Sequence, residues 1–258
     1  MQLANYFQLV DVRARMALRA DASRYLLGYT WWILEPLLFV AVFYLVFNVV
    51  LNSGRADFLA FLMCGKLSFI WFSKSVSQAS ESIFAARGLI GKINAPKSLF
   101  PVAVIQEGLY KQGAVFLLLA VFLWSSGYPP SYHWLWLAPI IAVNYLMIVA
   151  CALIGAYLVC VFRDFSKVIP LGMTFLLFTS GIFWDVNALG DPEKTSLILA
   201  VNPLAFIIDA YREVLMYQSS PDSAHLLLLG MGSALLIIAM LYAMERSSKY
   251  LALKVLTG

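Results

Sequence analysis

Apolar residues in this chain gather into six long runs, at approximately 31–51, 58–76, 101–124, 134–162, 168–184 and 226–244, with polar stretches between them. The hydrocarbon core of a bilayer is about 30 Å thick and takes roughly 20 mainly apolar residues of helix to cross. The pattern therefore predicts six transmembrane helices and an all-α polytopic membrane protein, with residues 1–258 forming a single transmembrane domain.

Residues 1–27 follow a different rhythm. At 100° per residue Leu3, Tyr6, Phe7, Val10, Ala14, Ala17 and Leu18 share one arc, while Gln8, Asp11, Arg15 and Arg19 lie opposite. A two-faced helix with Arg on its wet side is expected to lie in the membrane interface. The other arrangement that fits is an amphipathic helix resting on a partner protein. Between the fifth and sixth runs, residues 185–222 hold two further helical pieces, Leu197–Val201 and Leu204–Met216, neither long enough to cross. Asn202-Pro203 divides them, and Pro suits the first turn of the second piece. Two short re-entrant helices on the external side are expected, since such backbone is tolerated where protein buries it or water lines it. A surface loop with two helical turns is the alternative.

Charge orients these elements. One set of connections holds thirteen basic residues: Arg13, Arg15, Arg19 and Arg24; Lys74, Arg87, Lys92 and Lys97; Arg163 and Lys167; Arg246, Lys249 and Lys254. The other set has three, Arg55, Lys194 and Arg212, with Lys66 and Lys111 inside runs. The positive-inside rule then puts both termini in the cytoplasm. Composition agrees with a lipid solvent, at 62% hydrophobic and 12% charged residues, against nearer half and a quarter in soluble domains. A net charge of +4 without a basic block excludes a nucleic-acid arm. Cys64, Cys151 and Cys160 lie in apolar stretches without CxxC spacing, so neither a disulfide framework nor a metal site is expected. Met1 leads into a polar, Arg-bearing segment, unlike a cleaved signal peptide.

No catalytic constellation emerges. His133 and His225 are isolated. Gly88-Leu89-Ile90-Gly91-Lys92-Ile93 has the wrong spacing for a phosphate loop and no hydroxyl after its Lys. Among charges within the runs, Glu35 precedes Pro36 near a span end, Glu107 and Lys111 have the favourable i,i+4 order for an ion pair, and Lys66 faces either a cavity or the interface. Trp31 and Trp32 open the first span. Trp32, Phe39 and Phe43 recur there at helical spacing, as Phe175 and Phe178 do on the fifth. Aromatic faces of this kind either pack helices together or stack on sugar rings lining a conduit.

Four segments, in order and running nearly end to end, carry a resemblance. Arg24–Pro36 is similar to the start of the first span in permease subunits of bacterial polysaccharide ABC exporters, of the type-2 class. Leu89–Lys97 through Pro101 resembles their second–third connection, Val161-Phe162-Arg163-Asp164 the end of their fourth span, and Asn202-Pro203-Leu204 with Tyr211-Arg212 their external gate. The resemblance implies a homodimeric permease of the bacterial cytoplasmic (inner) membrane, bound to two ATPase subunits that carry ATP and magnesium, with no cofactor on this chain. The substrate implied is a lipid-linked glycan of O-antigen or capsular type, typically on undecaprenyl pyrophosphate. It also implies a coupling region at 82–97, where Arg87, Leu89, Ile90 and Lys92 dock the ATPase, and a gate over 185–222 that includes Asn202, Pro203, Tyr211 and Arg212. Arg13, Arg15, Arg19 and Arg24 become candidates to meet pyrophosphate or lipid headgroups, although positive-inside anchoring explains them equally. Trp31, Trp32, Phe39, Phe43, Phe175 and Phe178 become candidate channel residues. Gly91 departs from the charged or bulky residue common in the family. An exporter of small hydrophobic compounds is the competing reading; an ion-coupled carrier would need the internal repeats and acidic relay that are missing.

Overall fold

The computed structural model describes residues 3–50, 57–90, 92 and 95–257, with side chains for all of these but 3, 4, 43, 47, 48 and 257. Among the described residues the regular structure is entirely helical. Helix α1 (Leu3–Ala22) leads to α2 (Trp31–Tyr44), which passes into a π-helical stretch, Leu45–Val50. Then come α3 (Phe58–Ala85), the short α4 (Arg87–Ile90), α5 (Leu99–Ser125), α6 (Leu137–Val161) and α7 (Phe165–Thr179). On the far side of α7 lie α8 (Pro192–Val201) and α9 (Pro203–Leu215), followed by α10 (Ser223–Arg246) and α11 (Ser248–Thr257).

Among the described residues four helices are long and apolar enough to cross a membrane: α3, α5, α6 with its leading turn, and α10. They coincide with four of the six apolar runs. The remaining two runs yield shorter helices. With 14 and 15 residues, α2 and α7 rise about 21 and 22 Å at ~1.5 Å per residue, less than the ~30 Å core. Two local causes are visible. The α-helical pitch of α2 gives way at Leu45, and α7 stops at Thr179 because Gly181 follows with φ +70°, a left-handed turn that redirects the chain.

Helix α3 is the hub, with Phe61, Leu62, Leu67 and Ile83 almost fully buried as it packs on α5, α6 and α9. Helix α10 packs on α6 and leaves Leu227, Leu228, Leu235 and Ile238 exposed. An outer helix with that apolar face suits lipid as its solvent. The amphipathic α1 forms as the arc predicts, but α5 of the same chain takes part of its apolar side. Val10, Ala14 and Ala22 are buried, whereas Phe7 and Met16 stay exposed.

Candidate functional site

Beside α1, polar groups from four helices converge. The Lys111 Nζ on α5 lies 2.7 Å from Asp21 Oδ2 on α1 and 2.8 Å from Glu107 Oε1 one turn earlier. Trp32 Nε1, on α2, donates to the same Asp21 oxygen at 3.1 Å, and the Lys111 ammonium stands 5.3 Å from the Trp32 ring centroid. Burial pushes the Asp21 carboxyl up, but the Lys111 ammonium outweighs it, helped by Trp32 and Arg24, and holds the carboxyl below its ordinary range. The expected Glu107–Lys111 pair is present; that Asp21 shares it was not foreseen. Lys74, placed by sequence in a cytoplasmic connection, is within α3 and meets Glu35 of α2 at 2.5 Å.

These groups frame two clefts. One, of about 360 Å³, lies between the end of α1, α2, α3 and α5, and is lined by Trp31, Trp32, Glu35, Trp71, Gln78 and Gln112 among others. The second, of about 240 Å³, lies between α2, α3 and α7, and includes Phe39, Lys66, Phe69, Pro170 and Thr174. They meet at Ile70 and Lys74, which line both. Lys66 faces the second cleft as one of its two expected arrangements had it, its Nζ 5.7 Å from the Phe39 ring centroid and 5.5 Å from that of Phe69.

The candidate aromatic residues are divided by this geometry. Trp31 and Trp32 belong to the first cleft and Phe39 to the second. Phe175 and Phe178 are largely exposed and line neither, so one chain does not bring them to Phe39. The Phe43 side chain lies outside the described residues. The four N-terminal arginines do not form one cluster either. Arg13 lies over the Phe100 ring at 4.7 Å, Arg15 pairs with Asp11 at 2.9 Å, and Arg19 and Arg24 are exposed. In the expected coupling region, Arg87, Leu89 and Lys92 are exposed and Ile90 is buried. Gly91 lies outside the described residues.

At the opposite end, side-chain caps shape residues 185–222. Asp191 accepts from the backbone N–H of Glu193 and Lys194, with Pro192 opening α8. Asn202 accepts from Leu204 and Ala205 at 3.1 and 3.2 Å, with Pro203 opening α9. Each cap satisfies donors that a helix start leaves free, and Pro at the first position sacrifices no hydrogen bond. The Asn202 amide also donates to Ser180 Oγ at 3.1 Å, tying the α8–α9 junction to the end of α7.

Within α9, Arg212 is only 1% exposed. Its guanidinium donates to the Gly181 carbonyl at 2.7 Å, the Ile182 carbonyl at 3.0 Å and the Phe61 carbonyl at 3.4 Å, and lies 3.4 Å from the Phe61 ring centroid. Two glycines make room. A Cβ at residue 65 would stand 2.6 Å from Arg212 Nη2, and one at residue 181 would meet Val186 at 2.7 Å in a backbone conformation L side chains rarely adopt. Arg212 thus pins α9 to the start of α3 and to the turn after α7. Neighbouring Tyr211 is fully buried, its hydroxyl accepting a long 3.4 Å contact from Asn144. The gate candidates Asn202, Pro203, Tyr211 and Arg212 therefore fall on one element, although Pro203 itself is exposed. Sequence reasoning missed Asp21, Trp71, Gly65 and Gly181.

Long apolar helices packed around two clefts define the class, a multi-pass helical membrane protein. The chain belongs to the ABC-2 type transporter family, whose model matches residues 24–216. It is 31% identical over 216 residues to the O-antigen export system permease protein RfbA of Klebsiella pneumoniae, covering 83% of this chain and 82% of that protein. The RfbA permease of Myxococcus xanthus is 26% identical over 238 residues, 92% of each chain. The polysialic acid transport protein KpsM of Escherichia coli is 26% identical over 206 residues, 77% of this chain and 78% of that one.

Proposed function

We propose that this chain is the membrane-spanning permease subunit of an ATP-driven exporter that moves lipid-linked polysaccharide across the bacterial inner membrane. The observation that carries this is a match over most of the chain to permeases named for O-antigen export and to a protein named for polysialic acid transport. In this reading α2 and α7 join the four longer helices as crossing segments, giving six passes and cytoplasmic termini. The Leu45–Val50 stretch lengthens α2, and the buried α9 fills the outer leaflet beside the short α7. A 13-residue helix buried along most of its length yet too short to cross supports a re-entrant element that closes the outer end.

The energy source is a separate pair of ATPase subunits, which bind the nucleotide and magnesium. They dock at 82–97, where Arg87, Leu89 and Lys92 are free to meet them. Two copies of the permease enclose the conduit between them. The exposed Phe175 and Phe178 of α7 then face the partner copy and complete, with Phe39, an aromatic wall that slides along sugar faces. The exposed arginines of α1 and the loop after it meet the carrier's phosphates and anionic headgroups at the cytoplasmic surface. The test is deletion of the gene in its host followed by surface glycan staining. Loss of the glycan from the surface with lipid-linked glycan accumulating inside is expected. Undiminished surface glycan would overturn the reading.

A further inference from the structure

A third cleft, of about 630 Å³, lies apart from the other two, where the start of α1, residues 95–98 and the end of α10 come together. In the proposed topology this is the cytoplasmic surface, level with lipid headgroups. The volume is in the middle of the roughly 300–1,000 Å³ typical of small-ligand pockets.

One wall of it asks for an anion. Lys97 lines the cleft and is only 7% exposed. Buried charges are ordinarily paired. Among the described residues this ammonium has no carboxylate partner, and its Nζ makes one long contact, 3.4 Å to the Ala95 carbonyl. Burial pulls its pKa down, a direction that a bound anion reverses. Beside it Ser98, also buried, accepts from the Tyr6 hydroxyl at 3.2 Å, caps no helix N–H and keeps its own proton to donate. Both stand at the N-terminus of the 27-residue α5, where the helix dipole adds positive potential.

The other wall asks for a cation. Glu245, at the end of α10, lines the cleft, is exposed and has no ion pair, not even with Lys97 across the space. The neighbouring Arg246 and Lys249 are not among the residues that line the cleft. A ligand with a lone negative charge would meet Glu245 as well as Lys97. One with a phosphate and a primary ammonium a few atoms apart satisfies both. Helix α10 supplies an apolar continuation. Leu227, Met231, Ile238 and Leu241 are exposed and share one arc with Glu245 at 3.6 residues per turn, a track of about 21 Å that ends at the cleft.

We infer that this cleft holds one zwitterionic lipid of the phosphatidylethanolamine type, its phosphate on Lys97 and Ser98, its ammonium on Glu245 and an acyl chain along the arc of α10. This is a resident membrane lipid and not the exported one. The inference needs the membrane fold but not the glycan export proposed above.

Native mass spectrometry of the full chain, stripped of lipid in detergent, tests it by titration with phosphatidylethanolamine, phosphatidylglycerol or phosphatidylcholine of identical acyl chains. The glycerol lipid lacks the ammonium, and the choline lipid has one that donates no hydrogen bond. The first phosphatidylethanolamine is expected to bind about ten-fold more tightly than either, the change carried by one charge-assisted hydrogen bond. Glu245→Gln, at an exposed position where folding is not at stake, should erase the preference over phosphatidylglycerol. Lys97→Met should weaken the first lipid to the level of the later, non-specific ones, and Lys97→Arg should restore it. Equal or tighter binding of either competitor to the wild type, or an undiminished preference in Glu245→Gln, would overturn the site. Its failure is separable from that of the exporter reading, since loss of surface glycan on gene deletion without any lipid preference removes the site and leaves the exporter.

Discussion

Replacing Arg212 by Met keeps much of the side-chain bulk and removes every donor. The Gly181 and Ile182 carbonyls then lose short charge-assisted bonds of 2.7 and 3.0 Å, and Phe61 loses weaker ones of 3.4 Å. Bonds to a charged group contribute about 1.5–3 kcal/mol each, so the two short ones set a gross loss of about 3–6 kcal/mol. The cost of burying a guanidinium disappears at the same time. A net loss of about 3 kcal/mol is expected, more than a hundred-fold in the folding equilibrium. Arg212→Lys should fall between, since an ammonium is a single point of donation and cannot span three carbonyls in a fixed fork. Unfolding by SDS in mixed micelles, followed by helical circular dichroism, measures both. The glycine beneath provides a cycle. Gly65→Ala sets a Cβ 2.6 Å from Arg212 Nη2, so it should destabilise the native chain and cost much less once Met occupies 212. If Arg212→Met lies within about 0.5 kcal/mol of wild type, or if the two substitutions simply add, Arg212 does not pin α9 as described.

Lys111→Met leaves Asp21 and Glu107 without the ammonium between them; hydrogen exchange across α1 should accelerate while that of α6 stays unchanged. The same clasp predicts a pH dependence. Asp21 has a lowered folded-state pKa, so its stabilisation is present above the ordinary carboxylate pKa of about 3.9 and is lost as pH falls through the lower folded value. Intrinsically corrected exchange in α1 should rise only at strongly acidic pH, and Asp21→Asn should flatten that rise. Asn202→Ala removes the cap of α9 and its link to Ser180; a loss of about 1–2 kcal/mol is expected in the same SDS titration. Charge reversal of Arg87 with Lys92 should reduce recovery of the ATPase partner in pull-downs at equal permease level, and undiminished recovery would move docking elsewhere.

What could be read before the structure depended on how far apart the responsible residues are. The apolar runs behind α3, α5, α6 and α10 are local and reappear as helices, although α3 continues to Ala85, well past the end of its run at residue 76. Glu107–Lys111, one turn apart, carried over as well, as did Asn202-Pro203, where cap and first turn adjoin in sequence. Asp21 was invisible as a partner of Lys111 because ninety residues separate them. The short α7 hinged on the backbone at Gly181, and an isolated glycine in an apolar run does not announce a left-handed turn. The amphipathic arc of α1 was legible, but what covers it was not, because an apolar stripe accepts lipid, a partner or α5 on equal terms. For the aromatics, helical spacing set Trp32 and Phe39 in register, while two clefts on either side of Lys74 separate them. Arg212 was selected by resemblance, and its role as a three-way tie came only with the carbonyls of residues 61, 181 and 182.

The partners of Arg212 have one more consequence. Backbone carbonyls neither titrate nor exchange counterions, and a guanidinium keeps its proton across the biological pH range. A helix joint fastened by carboxylates would loosen in acid and weaken in brine. One fastened to peptide oxygens, and shielded from water as this one is, holds equally well in both. The direct hydrogen bonds that join α9 to the start of α3 and to the turn after α7 are thus made by groups indifferent to acidity and salt.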